Sequence, residues 1–246
     1  MAGVLKFAFM KSLILFFYSL VFLQVQSREI DDFFSATDQF LKKYVSEGSV
    51  DYALIKKNKH EIGAIVQNIG SMDLATQDQN VVKAFYINAY NMLVISSIIE
   101  NYPVKSPMDI QGFFDKKLHL VAGEMLTLNR LEKEKLLSPT LDARLHFALV
   151  CAAKSCPQLM SSSFKPNQLD AQLDERTRST INDSKWLMVK SGQKQVDVSK
   201  IFEWYANDFT RNGKTITDWI NQYRTSKIPA SYKVTYYGYD WSLNGK

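Results

Sequence analysis

One stretch constrains the fold of this chain more than any other. Residues 80–101 read as a helix closed by Pro103, and between Ala84 and Ile99 it is apolar on nearly every side. A helix without a polar face has to be surrounded, so the rest of the chain must supply the apolar surface that wraps it. Composition permits this, since 46% of the residues are hydrophobic and 13% aromatic, which also excludes disorder. Asn88 and Asn91 break the pattern, spaced i and i+3 on one face with Ala84 and Ile95. A buried amide without partners costs about 1–3 kcal/mol. These two therefore either tie the helix to a neighbouring loop or sheet, or face a polar pocket and orient a substrate or a catalytic histidine. Tyr86 and Tyr90 lie on an adjacent face and suit a pocket wall or the core.

Shorter elements fill the remainder. Helical spacing recurs over 30–45, 51–57 and 59–69, the last stopped by Gly70-Ser71. Leu118–Val121 and Met125–Leu128 flank Ala122-Gly123-Glu124 as a predicted β-hairpin, and a helix is expected over 129–137 before Ser138-Pro139. Residues 143–151 read as a buried strand, followed after Pro166 by a charged helix to about 181 with an Asp174–Arg178 pair. Strand-like pieces near 186–190 and 194–198 precede a helix capped by Ser199 and running to Phe209, then another from Thr215 or Thr217 to Tyr223. Lys233–Tyr237 is strand-like, and Trp204, Trp219 and Trp241 are expected to seal the core and the closing tail. The prediction is α+β: a mostly helical single domain, with a central buried helix packed on a small, mainly antiparallel sheet.

The first 27 residues stand apart. Lys6 and Lys11 precede an apolar run from Leu13 to Leu23, and Val25 and Ser27 sit at the −3 and −1 positions of a cleavage after Ser27. The run falls short of the roughly 20 residues a membrane span needs. The expectation is a secretory leader over 1–27 and a single globular domain over 28–246, secreted or periplasmic, with Met10 an alternative start. No later segment suggests a membrane span. The leader holds two of the 30 basic residues and no acid, so the rest of the chain carries +3. That surplus is no nucleic-acid footprint. The expected partner is a small molecule, a peptide or another envelope component, and no cofactor is expected, because phosphate-loop, GxSxG and HExxH motifs are lacking.

Several stretches, taken in order, resemble one family. They are Phe85-Tyr86-Ile87-Asn88-Ala89-Tyr90-Asn91, Asn101-Tyr102-Pro103-Val104, Phe113-Phe114-Asp115, His146-Phe147-Ala148-Leu149 and Cys151-Ala152-Ala153-Lys154-Ser155-Cys156-Pro157. Leu173-Asp174-Glu175, the run from Val198 to Tyr205, and Tyr239-Asp240-Trp241-Ser242-Leu243-Asn244 complete them. Together they resemble the domain of unknown function family numbered 547, over about residues 40–244. The resemblance implies one domain of a kind found in exported bacterial proteins and in plants, and supplies no reaction.

Chemistry is therefore argued from the residues. In a 143–151 strand, Leu145, Phe147, Leu149 and Cys151 share an apolar face, with His146 opposite beside Ala148. Pro157 favours the first position of a helix, which would set Ser155 and Cys156 at a helix N-terminus whose N–H groups stabilise a thiolate. Cys156 as nucleophile, His146 as base and Asn88 or Asn91 as orienter would form a Cys-His-Asn pocket suited to thiol-dependent hydrolysis or acyl transfer. That chemistry resembles thiol peptidases and transglutaminase-like enzymes, although in those the Cys opens the central helix and precedes the His. The alternative is a non-catalytic ligand- or partner-binding module in which Cys151 and Cys156, the two cysteines of the chain, form a disulfide in an oxidising compartment. A metal held by His119, His146, Cys151 and Cys156 is disfavoured by spacing, so none is expected. His119 is expected exposed or lightly packed, and His60 on a solvated face.

Overall fold

The computed structural model describes residues 28–246; the leader expected over 1–27 lies outside them. A first helix, α1, covers 28–44 and runs into a two-stranded hairpin of β1 (Val45–Ser46) and β2 (Ser49–Val50). Helices α2 (Tyr52–Lys57), α3 (Lys59–Ser71) and α4 (Gln79–Asn101) follow. Asp51 caps α2 by accepting from the Leu54 N–H, and Asp78 caps α4 by accepting from Asn80 and Val81. As its sequence requires, α4 is wrapped: 14 of its residues from Ala84 to Ile99 are buried. It is long and apolar enough to cross a membrane, yet its apolar window is 78% buried inside the fold. Its main neighbours are α2, α3, the helix after the second hairpin and the 3-10 turn Pro166–Gln168.

That second hairpin pairs β3 (His119–Val121) with β4 (Glu124–Leu126). Its turn puts both Ala122 (φ 48°) and Gly123 (φ 79°) in the left-handed region, the turn that matches the twist of two strands. The Ala122 and Gly123 N–H groups donate to the carbonyls of Ile69 and Gly70 and so satisfy the end of α3. The chain then forms one helical rod in three parts: α5 (Leu128–Arg130), a π-helical stretch Leu131–Leu137, and α6 (Ser138–Thr140), which runs past the Ser138-Pro139 stop expected from sequence.

The strand expected over 143–151 is not formed. Asp142 accepts from the Arg144 N–H and starts a 3-10 turn, Ala143–Phe147, after which the chain is irregular. Residues 145–150 are all buried, so their apolar pattern has no exposed face from which to read a period. Helix α7 (Leu169–Asn182) leads into strands β5 (Leu187–Lys190) and β6 (Gln195–Val198), which pair antiparallel. The helix expected from Ser199 to Phe209 breaks at Tyr205 into α8 (Ile201–Trp204) and α9 (Ala206–Phe209). Helix α10 (Ile216–Tyr223) has a Thr215–Asp218 capping box, and β7 (Lys233–Tyr236) joins β6 in parallel. The fold is α+β, and among the described residues its β-structure is three small separate sheets.

Two hydrophobic cores result. One surrounds α4, and the second gathers Phe147, Phe202, Phe209, Trp219 and Ile220 beside the three-stranded sheet. The Ala143–Phe147 turn joins them, since Leu145 belongs to the first and Phe147 to the second. Tyr205 and Tyr239 pack against both.

Candidate functional site

A cavity of about 290 Å3 opens where the two cores meet. Tyr90 and Glu132 reach it from helical segments, His146 from the 3-10 turn, Tyr205 from the break between α8 and α9 and both cysteines from the irregular stretch, and Phe114, Trp204, Tyr239 and Trp241 close it with rings.

His146 is 4% exposed, and its Nε2 lies 2.9 Å from Asp208 Oδ2. The hydrogen bond from His146, joined by one from Arg211, holds the Asp208 carboxyl below its usual range. Tyr205 packs tilted against the imidazole with ring centroids 4.1 Å apart, and its hydroxyl hydrogen-bonds Glu132. Glu132 is 8% exposed, and burial pushes its pKa up, with His146, Tyr205 and Lys133 pulling weakly the other way. Burial also raises Tyr90, Tyr205 and Tyr239, so the wall offers neutral hydroxyls.

Cys151 and Cys156 are joined as a disulfide, their Cα atoms 6.1 Å apart. The turn Ala152-Ala153-Lys154-Ser155, with Ala152 at φ 62°, brings them together. The Tyr239 hydroxyl sits 3.1 Å from Cys151 Sγ and 3.3 Å from Cys156 Sγ. No helix begins at Pro157, so the helix N-terminus expected beside Cys156 is not there to stabilise a thiolate. Among the described residues no group of three or more His, Cys, Asp or Glu side chains is placed to hold a metal.

The expected site residues divide. His146, Cys151, Cys156 and Tyr90 meet in the cavity. Asn88 and Asn91 do not reach its lining, because their amides are used up on backbone. Asn88 Nδ2 donates to the carbonyls of Ala84 and Phe164, and its Oδ1 accepts from the Phe164 N–H at 3.0 Å. Asn91 Nδ2 donates to the Ala148 carbonyl and Oδ1 accepts from the Val150 N–H, both at 2.9 Å. The carboxylate of Asp208 takes the place expected for an asparagine beside His146. Tyr86 and Ser155 also lie outside the lining, Ser155 accepting from the Asp240 N–H. His119 is buried in β3, which draws its pKa down to about 4, and Trp204, expected to seal the core, is 47% exposed at the cavity.

Glu132, Tyr205 and Asp208 were not singled out from sequence. Glu132 carried a signal, standing four residues from both Leu128 and Leu136 on what an α-helix would make its buried stripe. Asp208 carried none, being one acid in a short polar helix.

The turn bearing His146 is held by charge. Asp142 receives Lys83 Nζ at 2.6 Å and the Arg144 guanidinium at 2.9 Å, and Arg144 reaches on to Asp174 at 2.7 Å. Burial works against the Asp142 charge, but these hydrogen bonds outweigh it and bring the pKa down to about 2 from 3.8. A depressed carboxylate stabilises the fold fully above its unfolded pKa, and the contribution fades as pH falls through about 2. Asp142→Asn is expected to cost about 2 kcal/mol at neutral pH. The deficit should shrink when urea melts are repeated in increasing acid; a deficit independent of pH would contradict this linkage.

Fold and site together define an α+β domain with an aromatic cavity, a buried carboxyl, a His–Asp pair and a disulfide in its wall. Residues 74–181 match the family described as protein of unknown function, DUF547, which supports assignment to that family. The matched segment carries α4, Glu132, His146 and both cysteines, whereas Trp204, Tyr205, Asp208, Tyr239 and Trp241 lie beyond it. No curated protein and no solved structure matches the chain.

Proposed function

We propose that the protein is an exported, secreted or periplasmic module that binds a small organic ligand in this cavity, with the disulfide as a fixed part of its wall. The observation that carries the reading is that both sulfurs lining the cavity are engaged with each other beside apolar rings. A nucleophile is then not at hand, while the mixture of rings and a few converging polar groups is what ligand sites offer. The apolar run of residues 13–23 supports export, and a paired cysteine suits the oxidising compartment it leads to.

Alkylation of the native, unreduced protein followed by intact mass tests the pairing. The expected result is no label and a mass two hydrogen atoms below that of the reduced chain; rapid labelling of Cys156 would overturn it. A compound screen read by tryptophan fluorescence tests binding, since Trp204 and Trp241 stand in the wall. Converting both cysteines to serine is expected to cost about 2 kcal/mol, the chain-entropy contribution of so short a loop, and to weaken whatever ligand the screen finds. Unchanged stability and affinity would show the bridge to be incidental.

A second reading, thiol-dependent hydrolysis or acyl transfer, has one observation in its favour: His146 and Cys156 line the same cavity. It requires that the reduced protein turn over an ester or peptide substrate and that Cys156→Ser and His146→Ala both abolish the activity.

A further inference from the structure

The charges around the cavity narrow its ligand. No lysine or arginine is among the lining residues, whose acid–base groups other than tyrosines and the bridged cysteines are Glu132 and His146. An anionic ligand would meet ring faces of negative potential without a cation to pair with. A cation meets the opposite conditions. Trp204, Tyr239 and Trp241 form a continuous ring wall, with centroids 4.7–6.0 Å apart, and cations are attracted to such faces, tryptophan most strongly. Glu132, in the same lining, is buried with Tyr205 as its hydrogen-bond partner, and among the described residues no lysine or arginine is ion-paired with it.

We infer that the cavity takes an organic cation, a protonated amine or a quaternary ammonium group, with its charge toward Glu132 and its alkyl groups against Trp204, Tyr239 and Trp241. The inference rests on the ligand-binding reading above. The groups that act on Glu132 are His146, Asp208, Lys133 and the hydroxyls of Tyr90, Tyr205 and Tyr239. Burial raises the Glu132 pKa, and an arriving cation acts the other way, favouring the carboxylate.

The test compares choline with its neutral carbon isostere, 3,3-dimethylbutan-1-ol, on the native, disulfide-bonded protein by calorimetry. Choline is expected to bind at least about tenfold more tightly. In Glu132→Gln, which retains the shape of the side chain, that preference should disappear while the isostere is unaffected. Equal affinity for the two compounds overturns the cation assignment, as does a choline preference that survives Glu132→Gln in a variant melting like the parent. If the variant does not fold, the comparison on the native protein decides alone. Binding of the isostere without choline removes the cation and leaves a ligand site of other chemistry. Failure of both, together with an empty fluorescence screen, removes the ligand-binding reading as well.

Discussion

Replacing Asn91 with leucine is expected to lower the stability of the fold by about 3–5 kcal/mol, summed over two buried groups that each lose a partner. The side chain sits 4% exposed on α4 and bonds the Ala148 carbonyl and the Val150 N–H at the same time. Those two backbone groups belong to the irregular stretch between the His146 turn and Cys151, which has no strand or helix partner of its own. Leucine shares the branched outline of asparagine and is no smaller, so the cost arises from the stranded carbonyl and N–H rather than from a cavity. Urea denaturation supplies the measurement. A loss under about 1 kcal/mol would mean that water or another group serves the stretch equally well.

Phe147→Ala is expected to cost about 3–5 kcal/mol as well, by the separate route of an unfilled core. Phe147 is fully buried, stacked on Trp219 with centroids 5.6 Å apart and flanked by Trp186, Phe202 and Phe209. Its neighbour His146 depends on the same turn, so the variant should also lose ligand affinity at a temperature where it remains folded. Phe147→Leu, which leaves a smaller void, should fall between parent and alanine variant in denaturation. Equal costs for leucine and alanine would mean that the ring stack, and not the filled volume, carries the energy.

The two variants also mark what could be read from sequence. An apolar helix from Ala84 to Ile99 can only be a buried one, so the centre of the fold was legible from residue types alone. Asn88 and Asn91 were legible as buried amides in need of partners, but hydrogen bonds to Phe164, Ala148 and Val150 depend on which loops return to α4. The 143–151 segment was misread because burial on all sides erases the alternation that tells strand from turn. The site drew on residues 62 positions apart for its His146–Asp208 pair and 83 apart for Tyr239 and Cys156, separations that no local spacing encodes. Whether the cysteines pair was open because a five-residue separation fits a tight turn and an extended strand equally, and the turn through Ala152 decides it.

The segment from Tyr239 to Lys246 ties together parts of the chain that lie far apart in sequence. Its backbone threads back across the chain: Lys154 and Ser155 donate to Ser242 and Asp240, Asn244 donates to Ala152, Leu243 donates to Lys105, and Val50 donates to Asn244. Tyr239 and Trp241 are also one wall of the cavity. One strip of backbone thus braces the cysteine turn and carries two of the cavity's rings, so any change that loosens it is expected to free the turn and open the wall together.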